Sequence, residues 1–333
     1  MDKMESTRNQ LINLLAKSQD KYISGQSLSE ELKISRSAVW KHMNELKKDG
    51  YIIEGLPRKG YRIIDFPDKM SENTLKWGLD TKWMGQEIIH KNLTSSTQTI
   101  AHELARDNAK HGTVIIADEQ IKGKGRMNRD WLSAKNKGIW MSVILKPSIP
   151  PHLAPQLTLL TATVLADVIY KSTLMKPQIK WPNDILINGK KVAGILTEMQ
   201  AEQDQIQYVV IGIGINTLHE LHDLPKDLRN KMTSIKLSTD TVLDSNTFLQ
   251  SLFTIFESTY SEYIDKGFSE IKLKWESYGF KVGKPISIKT LKRSWTAIFH
   301  GIATDGALLV KNSDGTIEKL YSAEINWFEE RSY

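Results

Sequence analysis

The chain has 333 residues, 40% hydrophobic and 25% charged, with 45 Lys and Arg against 39 Asp and Glu, a balance of +6; this fits two to three folded domains and excludes a single small stapled module. Zero cysteines exclude disulfides, thiolate metal sites and cysteine nucleophiles, suit a reducing compartment and make the cytoplasm the expected location. No membrane association is expected, because no stretch reaches the roughly 18 uncharged apolar residues of a spanning helix and the start Met1-Asp2-Lys3-Met4-Glu5 has no signal-peptide core.

A small net charge matters only where it is concentrated. Residues 33–62 hold eight basic side chains against three acidic ones. Leu11, Ile12, Leu14 and Leu15 predict a first helix. Ser27-x-x-Glu30 reads as a capping box that opens a second, with Leu28 and Leu32 on one face. After a turn at Lys33-Ile34-Ser35, Val39, Met43 and Leu46 recur at the spacing of the inner face of a third helix, leaving Arg36, Ser37, Trp40, Lys41 and Asn44 outside. Tyr51-Ile52-Ile53 and Tyr61-Arg62-Ile63-Ile64 then predict a hairpin whose tip carries Arg58 and Lys59. This is the order of a winged helix-turn-helix, in which the second helix of the pair enters the major groove and the wing touches flanking phosphates. Arg36, Ser37, Trp40, Lys41, Arg58 and Lys59 are the candidate DNA-binding residues. The alternative is a helical module with a solvated basic face and a packed Trp40. Pro67 and the polar run from Asp68 to Asn73 predict a domain edge near residue 66.

From about 74 to 270, helical periods (100–108, 155–170) alternate with strand-like runs (113–116, 140–145, 208–211), an α+β layer. Asn188-Gly189 predicts a hairpin that fixes Lys190 and Lys191 at a strand start. In Gln120-Ile121-Lys122-Gly123-Lys124-Gly125-Arg126-Met127-Asn128-Arg129-Asp130-Trp131, two glycines and four cations against one anion make a loop suited to polyphosphate or carboxylate. It does not meet the Walker A pattern. In Lys180-Trp181-Pro182-Asn183-Asp184-Ile185, Asn183 and Asp184 are expected to project from a turn, one onto backbone and the other toward a metal ion or polar ligand. Gly212-Ile213-Gly214 lacks the third glycine of a dinucleotide fingerprint.

GKGRMNRDW, KWPNDI, KVAGIL and VVIGIGINT, in this order, resemble the biotin protein ligases; with the amino-terminal module the whole chain is similar to the bifunctional members that also repress biotin operons. The resemblance implies biotinyl-5'-AMP formation from biotin and ATP with Mg²⁺, then biotin transfer to a lysine of a carboxyl carrier domain. It implies Ser96, Thr97 and Gln120 on the biotin head group, Gly123, Lys124 and Gly125 against biotin, and Lys191 on its carboxylate and then on the adenylate. Arg126 and Arg129 would close over the acyl phosphate, Trp131 would border adenine, and Asn216 would meet the phosphate or ribose. Lys191, Asp184 and Arg126 are the candidate catalytic residues, with Asp184 steering either the attacking amine or a metal. No metal ligand set is assigned. The family loop often reads GRGRRGR, whereas Lys124, Met127 and Asn128 here interrupt the arginines, and lysine lacks the two-pronged guanidinium contact.

Short β-runs after residue 282, with turns at Thr304-Asp305-Gly306 and Ser313-Asp314-Gly315, predict a five-stranded barrel like the family's SH3-like cap. The expected division is 1–65 winged helix-turn-helix, 66–274 mixed sheet-plus-helix ligase domain and 275–333 cap. The expected partners are carboxyl carrier domains, operator DNA and a second copy of the chain. Like charges and glycines predict that the basic loop is mobile when empty and ordered by an anionic adenylate, which would favour the homodimer. The rival readings are a catalytically silent biotin sensor and a lipoate ligase.

Overall fold

A computed structural model describes residues 7–18, 21–48, 50–65, 70–290 and 293–327. Helices α1 (Thr7–Lys17), α2 (Gly25–Leu32) and α3 (Arg36–Lys48) precede β1 (Ile52–Leu56) and β2 (Gly60–Asp65). Leu11, Ile12, Leu15, Leu28, Val39, Met43 and Leu46 bury their side chains with Tyr51, Ile53 and Ile63 of the wing in one core. The cap of α2 differs from expectation: Ser24, not Ser27, is the N-cap, its hydroxyl accepting from the Ser27 amide at 3.0 Å. Ser27 is inside the helix, and Glu30 accepts from Gln26 one turn back instead of capping. Lys33 ends α2 in the left-handed conformation, so the tight turn lies where the sequence placed it. The wing strands run further toward their tip than expected, to Leu56↔Gly60. Ile23 exchanges two backbone hydrogen bonds with Tyr61 (3.0 and 2.8 Å), and at Gly60 (φ +111°) a Cβ would sit 2.0 Å from the Ile23 carbonyl oxygen, so only glycine fits there.

The predicted edge at 66, with Pro67, Asp68 and Lys69, lies outside the described residues. The rest of that polar run is not a linker, because Ser71 and Thr74 form a reciprocal capping box that starts α4 (Glu72–Lys76). Contacts divide the chain into one unit of residues up to Asp80 with Asp244–Gln250, and a second of Thr81–Leu243 with Ser251 onward.

The second unit contains β3 (Ile88–Lys91), α5 (Thr97–Arg106), β4 (Val114–Ala117), β5 (Gln120–Lys124), β6 (Asp130–Ser133), β7 (Gly138–Leu145), α6 (Ala154–Thr173), β8 (Gln178–Lys180), β9 (Asp184–Ile187), β10 (Lys190–Glu202), β11 (Gln205–Asn216) and α7 (Ile235–Thr239), followed by α8 (Ser245–Lys266) from Ser251 onward and α9 (Ser269–Tyr278). Seven strands form one sheet in the order β3-β4-β7-β11-β10-β9-β8, antiparallel except β3–β4. Adjacent strand residues point to opposite faces. Glu198 of β10 hydrogen-bonds Gln98 of α5, whereas Thr197 beside it accepts from Thr158 of α6; the sheet is therefore covered by α5 on one face and α6 on the other. The helical span Pro151–Thr173 is long and apolar enough to cross a membrane by length and composition, although Asp167 and Lys171 keep it from being an uncharged stretch of that length. Its residues are 78% buried within the fold, as a core helix behind a sheet requires.

The final strands, β12 (Pro285–Lys289), β13 (Ser294–Ile302), β14 (Leu308–Lys311), β15 (Ile317–Leu320) and β16 (Glu324–Asn326), form one antiparallel sheet in the order β15-β14-β13-β12-β16. A β15–β16 ladder that would close it is not among those of the described residues. The sheet joins the second unit through Glu276, which accepts from the Ile302 amide at 3.0 Å, and through the Trp181 indole, which donates to the Gly306 carbonyl at 3.1 Å.

Candidate functional site

The basic segment is more regular than the loop expected from its glycines. β5 and β6 pair as a hairpin, Gly123 opposite Trp131 and Lys124 opposite Asp130, around a single 3-10 turn at Arg126–Asn128. Met127 and Asn128 both take positive φ (56° and 57°). Asparagine tolerates that region better than most side chains, so Asn128 replaces the glycine of the family pattern at modest cost. A Cβ at Gly123 would meet the Trp131 carbonyl oxygen at 2.4 Å, so that glycine serves the strand pairing.

Trp131 lies across the face of the main sheet. A Cβ at Gly214 would be 2.4 Å from its Nε1, and one at Gly194 would be 2.8 Å from its Cζ3; these two glycines face each other across β10 and β11. On the same strands, a Cβ at Gly212 would meet Gln98 Oε1 at 2.6 Å. The Gly-x-Gly of the sequence is thus a strand cleared for two side chains, with no phosphate loop at that position. Lys191, at the start of β10, holds its Nζ 4.9 Å from the Trp131 ring centroid and 2.6 Å from Asp184 Oδ1. Lys180 Nζ takes the other oxygen at 3.3 Å. The Asp184 side chain is only 13% exposed, and two ammonium groups compensate its desolvation. It starts strand β9 and does not project from a turn. Arg126 reaches over from the hairpin and donates to Asn183 Oδ1 at 3.0 Å, while Asn183 Nδ2 donates to the Ile195 carbonyl at 2.7 Å, the backbone contact expected of one of that pair. Desolvation lowers the affinity of Arg126 for its proton and Asp184 opposes that; arginine starts so high that it stays a cation.

The three residues read for the biotin head converge. Thr97 donates to Gln120 Oε1 through its amide (2.8 Å) and its hydroxyl (3.1 Å), and Gln120 Nε2 donates to Ser133 Oγ at 2.8 Å. Ser96 Oγ, Trp131 Nε1 and Asn216 Oδ1 are buried without a hydrogen-bond partner, a state that native structures rarely leave unexplained. Asn216 Nδ2 donates to the Thr233 carbonyl at 3.1 Å, and the Thr233 amide donates to the Lys191 carbonyl at 2.9 Å, so Asn216 belongs to the same cluster. Lys124 and Arg129 are exposed on the hairpin, and Gly125 bonds the Arg129 carbonyl at 2.7 Å. Local sequence patterns do not single out Lys180, Gln98, Ser142 or Glu198, because their partners lie on other elements and leave no short-range signal.

In the first unit, Arg36, Ser37, Lys41, Arg58 and Lys59 are exposed, and Trp40 is 61% exposed, against the packed alternative. Tyr22 and Arg62 donate to Glu54 across the wing and hold its carboxyl below the usual range, the tyrosine bond first.

This fold and site define a DNA-binding ligase. Residues 91–216 match the Biotin/lipoate A/B protein ligase family, 7–62 an HTH domain and 281–326 the Biotin protein ligase C terminal domain. The bifunctional ligase/repressor BirA of Bacillus subtilis (strain 168) is 46% identical over 323 residues, 97% of this chain and 99% of that protein. BirA of Escherichia coli (strain K12) is 27% identical over 95% of each. A biotin protein ligase from Aquifex aeolicus, solved with biotin and ATP, covers 72% of this chain and 98% of its own at 27% identity and a TM-score of 0.62. The chain belongs to the biotin protein ligase family, among its bifunctional ligase/repressors.

Proposed function

We infer that the chain is an ATP-dependent biotin protein ligase that is also a DNA-binding repressor of biotin genes. It forms biotinyl-5'-AMP and then biotinylates a lysine of a carboxyl carrier domain. The observation that carries this reading is the convergence of Lys191, Arg126, Asp184 and Trp131 with three unpartnered buried polar atoms on one sheet face. In the first step a biotin carboxylate oxygen attacks the α-phosphorus and pyrophosphate leaves; in the second the acceptor amine attacks the acyl carbon, loses a proton and expels AMP. Both build charge on phosphate oxygens, which fixed cations stabilise. Lys191 and Arg126 supply that positive charge, Arg129 adds to it from the hairpin, and Asp184 orients Lys191. Ser96, Thr97 and Gln120 hold the ureido head, Gly123, Lys124 and Gly125 line biotin, and Trp131 and Asn216 border the adenylate.

Mg²⁺ enters as the counter-ion of ATP. Among the described residues no three His, Asp or Glu side chains converge as a cage, and Asp184 is already held by two lysines, so the protein's own donors do not fit a resident ion and no step runs through one. We also propose the division 1–65, 66–274 and 275–333 for DNA, catalysis and cap, closure of the cap as an SH3-like barrel, a cytoplasmic location, and a homodimer as the operator-binding form. Exchange of pyrophosphate into ATP tests the enzyme: it should require biotin and fail with lipoate. A silent sensor would show no exchange with either, and a lipoate ligase the reverse preference.

A further inference from the structure

A hydrogen-bonded chain runs through the sheet face behind the proposed biotin head site. Gln98 Nε2 donates to Glu198 Oε2 at 2.8 Å and to the Val210 carbonyl at 3.3 Å. Glu198 is held ionised by His102, which lies 3.1 Å from the same oxygen, and by Gln98. Both partners of the Gln98 amide nitrogen are then pure acceptors, so its Oε1 is turned toward Ser142, whose hydroxyl donates to it at 3.0 Å. Serine has one hydrogen. Ser142 therefore only accepts at its 2.9 Å contact with Thr97 Oγ1. The other neighbour of that hydroxyl, Gln120 Oε1, is also an acceptor, because the Gln120 amide nitrogen is committed to Ser133. Whichever oxygen takes it, the Thr97 hydrogen points into the protein, and a ligand meets lone pairs only. Next to it Ser96 Oγ is buried without a partner, a free donor.

We propose that Glu198 is a positioning residue which, through Gln98 and Ser142, adds a second internal acceptor for the Thr97 hydroxyl hydrogen beside Gln120 and so keeps that hydrogen turned inward, so that the site accepts a ligand edge presenting an N–H beside a carbonyl oxygen. This rests on the biotin-ligase reading and deepens it, because a ureido ring has that edge and a dithiolane does not. Gly212, opposite Ser142 in β11, gives the chain its room.

The test uses the full chain, with biotin KM, ATP KM and kcat from pyrophosphate exchange and biotin Kd from calorimetry without ATP. Glu198→Gln puts an amide donor against Gln98 and should raise biotin KM and Kd at least fivefold, with ATP KM and kcat within twofold. Its preference for biotin over mono-N-methyl ureido biotin should narrow by a similar factor, which a merely structural role would not do. Ser142→Ala should weaken biotin alike, and adding Glu198→Gln to it should cost less than twofold more, as coupled sites require. Unchanged biotin binding in Glu198→Gln, or effects that multiply in the double variant, would overturn the proposal. Should Glu198→Gln not fold, Ser142→Ala alone decides, with an unchanged biotin Kd counting against it. Absence of exchange in the unmodified chain would sink the enzyme reading instead, and calorimetry would still decide the relay.

Discussion

Lys191 is worth far more in this site than a surface lysine, because Asp184 and the Trp131 ring hold its ammonium in a partly desolvated position. Replacing it with Gln should cost about 3 kcal/mol or more in adenylate formation, since a fixed cation facing developing charge acts in a low effective dielectric. Single-turnover formation of biotinyl-AMP measures this, and a loss below about tenfold would remove Lys191 from the reaction. Arg126 has a different task. It spans from the hairpin tip to Asn183, so it is tethered across the site and not fixed within it. Arg126→Gly should leave adenylation comparatively intact and release biotinyl-AMP to label lysines of unrelated proteins. Labelling of bulk albumin by the variant and not by the unmodified chain is the expected result, and equal labelling would end the retention role.

At the scale of elements, the recognition helix and the wing are expected to divide the work on DNA. The outer face of α3 presents Arg36, Ser37, Trp40 and Lys41, while Arg58 and Lys59 stand at a wing tip braced by Tyr22, Glu54 and Arg62. Replacing Arg58 and Lys59 by Gln should weaken binding on all sequences alike and make the salt slope shallower by roughly one for each phosphate left unneutralised, whereas Arg36 or Ser37 changes should shift sequence preference. Binding titrations at several salt concentrations separate the two. These elements are legible in the sequence because their signals are local: inward residues at helical spacing, a wing between two β-rich runs, and Asn188-Gly189, whose positive φ at both positions makes the tight hairpin before Lys190. The capping box is not, because Ser24 and Ser27 compete within one turn and only the backbone path decides which caps. The glycines of β11 mimic a ligand loop because their partners, Gln98 and Trp131, come from elements about a hundred residues away. The basic segment with Arg126 and the carboxylate of Asp184 stand out locally, but the role of Lys191 and the assembly of all three are reached only through the resemblance; no local pattern says that β9, β10 and a hairpin tip meet.

For the molecule as a whole, the proposed homodimer would link ligation and repression through the hairpin that carries Arg126. Its tip places two successive non-glycine residues at positive φ, with Met127 83% exposed, and its cations outnumber its one anion. The tip is held by the Gly125–Arg129 backbone bond and by Arg126 on Asn183, and a bound anion would add to that hold. Its outer side also exposes Ile121 (67%) and Leu132 (41%), beside Leu93 (54%), apolar area that is available for a second copy once the tip is ordered. An adenylate that neutralises Arg126 and Arg129 would fix the hairpin, and a two-fold dimer would then match a palindromic operator. Biotin plus ATP should therefore tighten self-association by about 1 to 3 kcal/mol, the usual size of coupling between two sites. Linkage makes the effect reciprocal, so the dimer should also hold biotinyl-AMP more tightly, by the same factor. Sedimentation equilibrium with and without both substrates measures the first, and adenylate release at rising protein concentration the second. Ile121→Lys should weaken the dimer in the presence of adenylate while leaving pyrophosphate exchange within twofold. Dimer constants that do not change with adenylate would separate repression from the hairpin altogether.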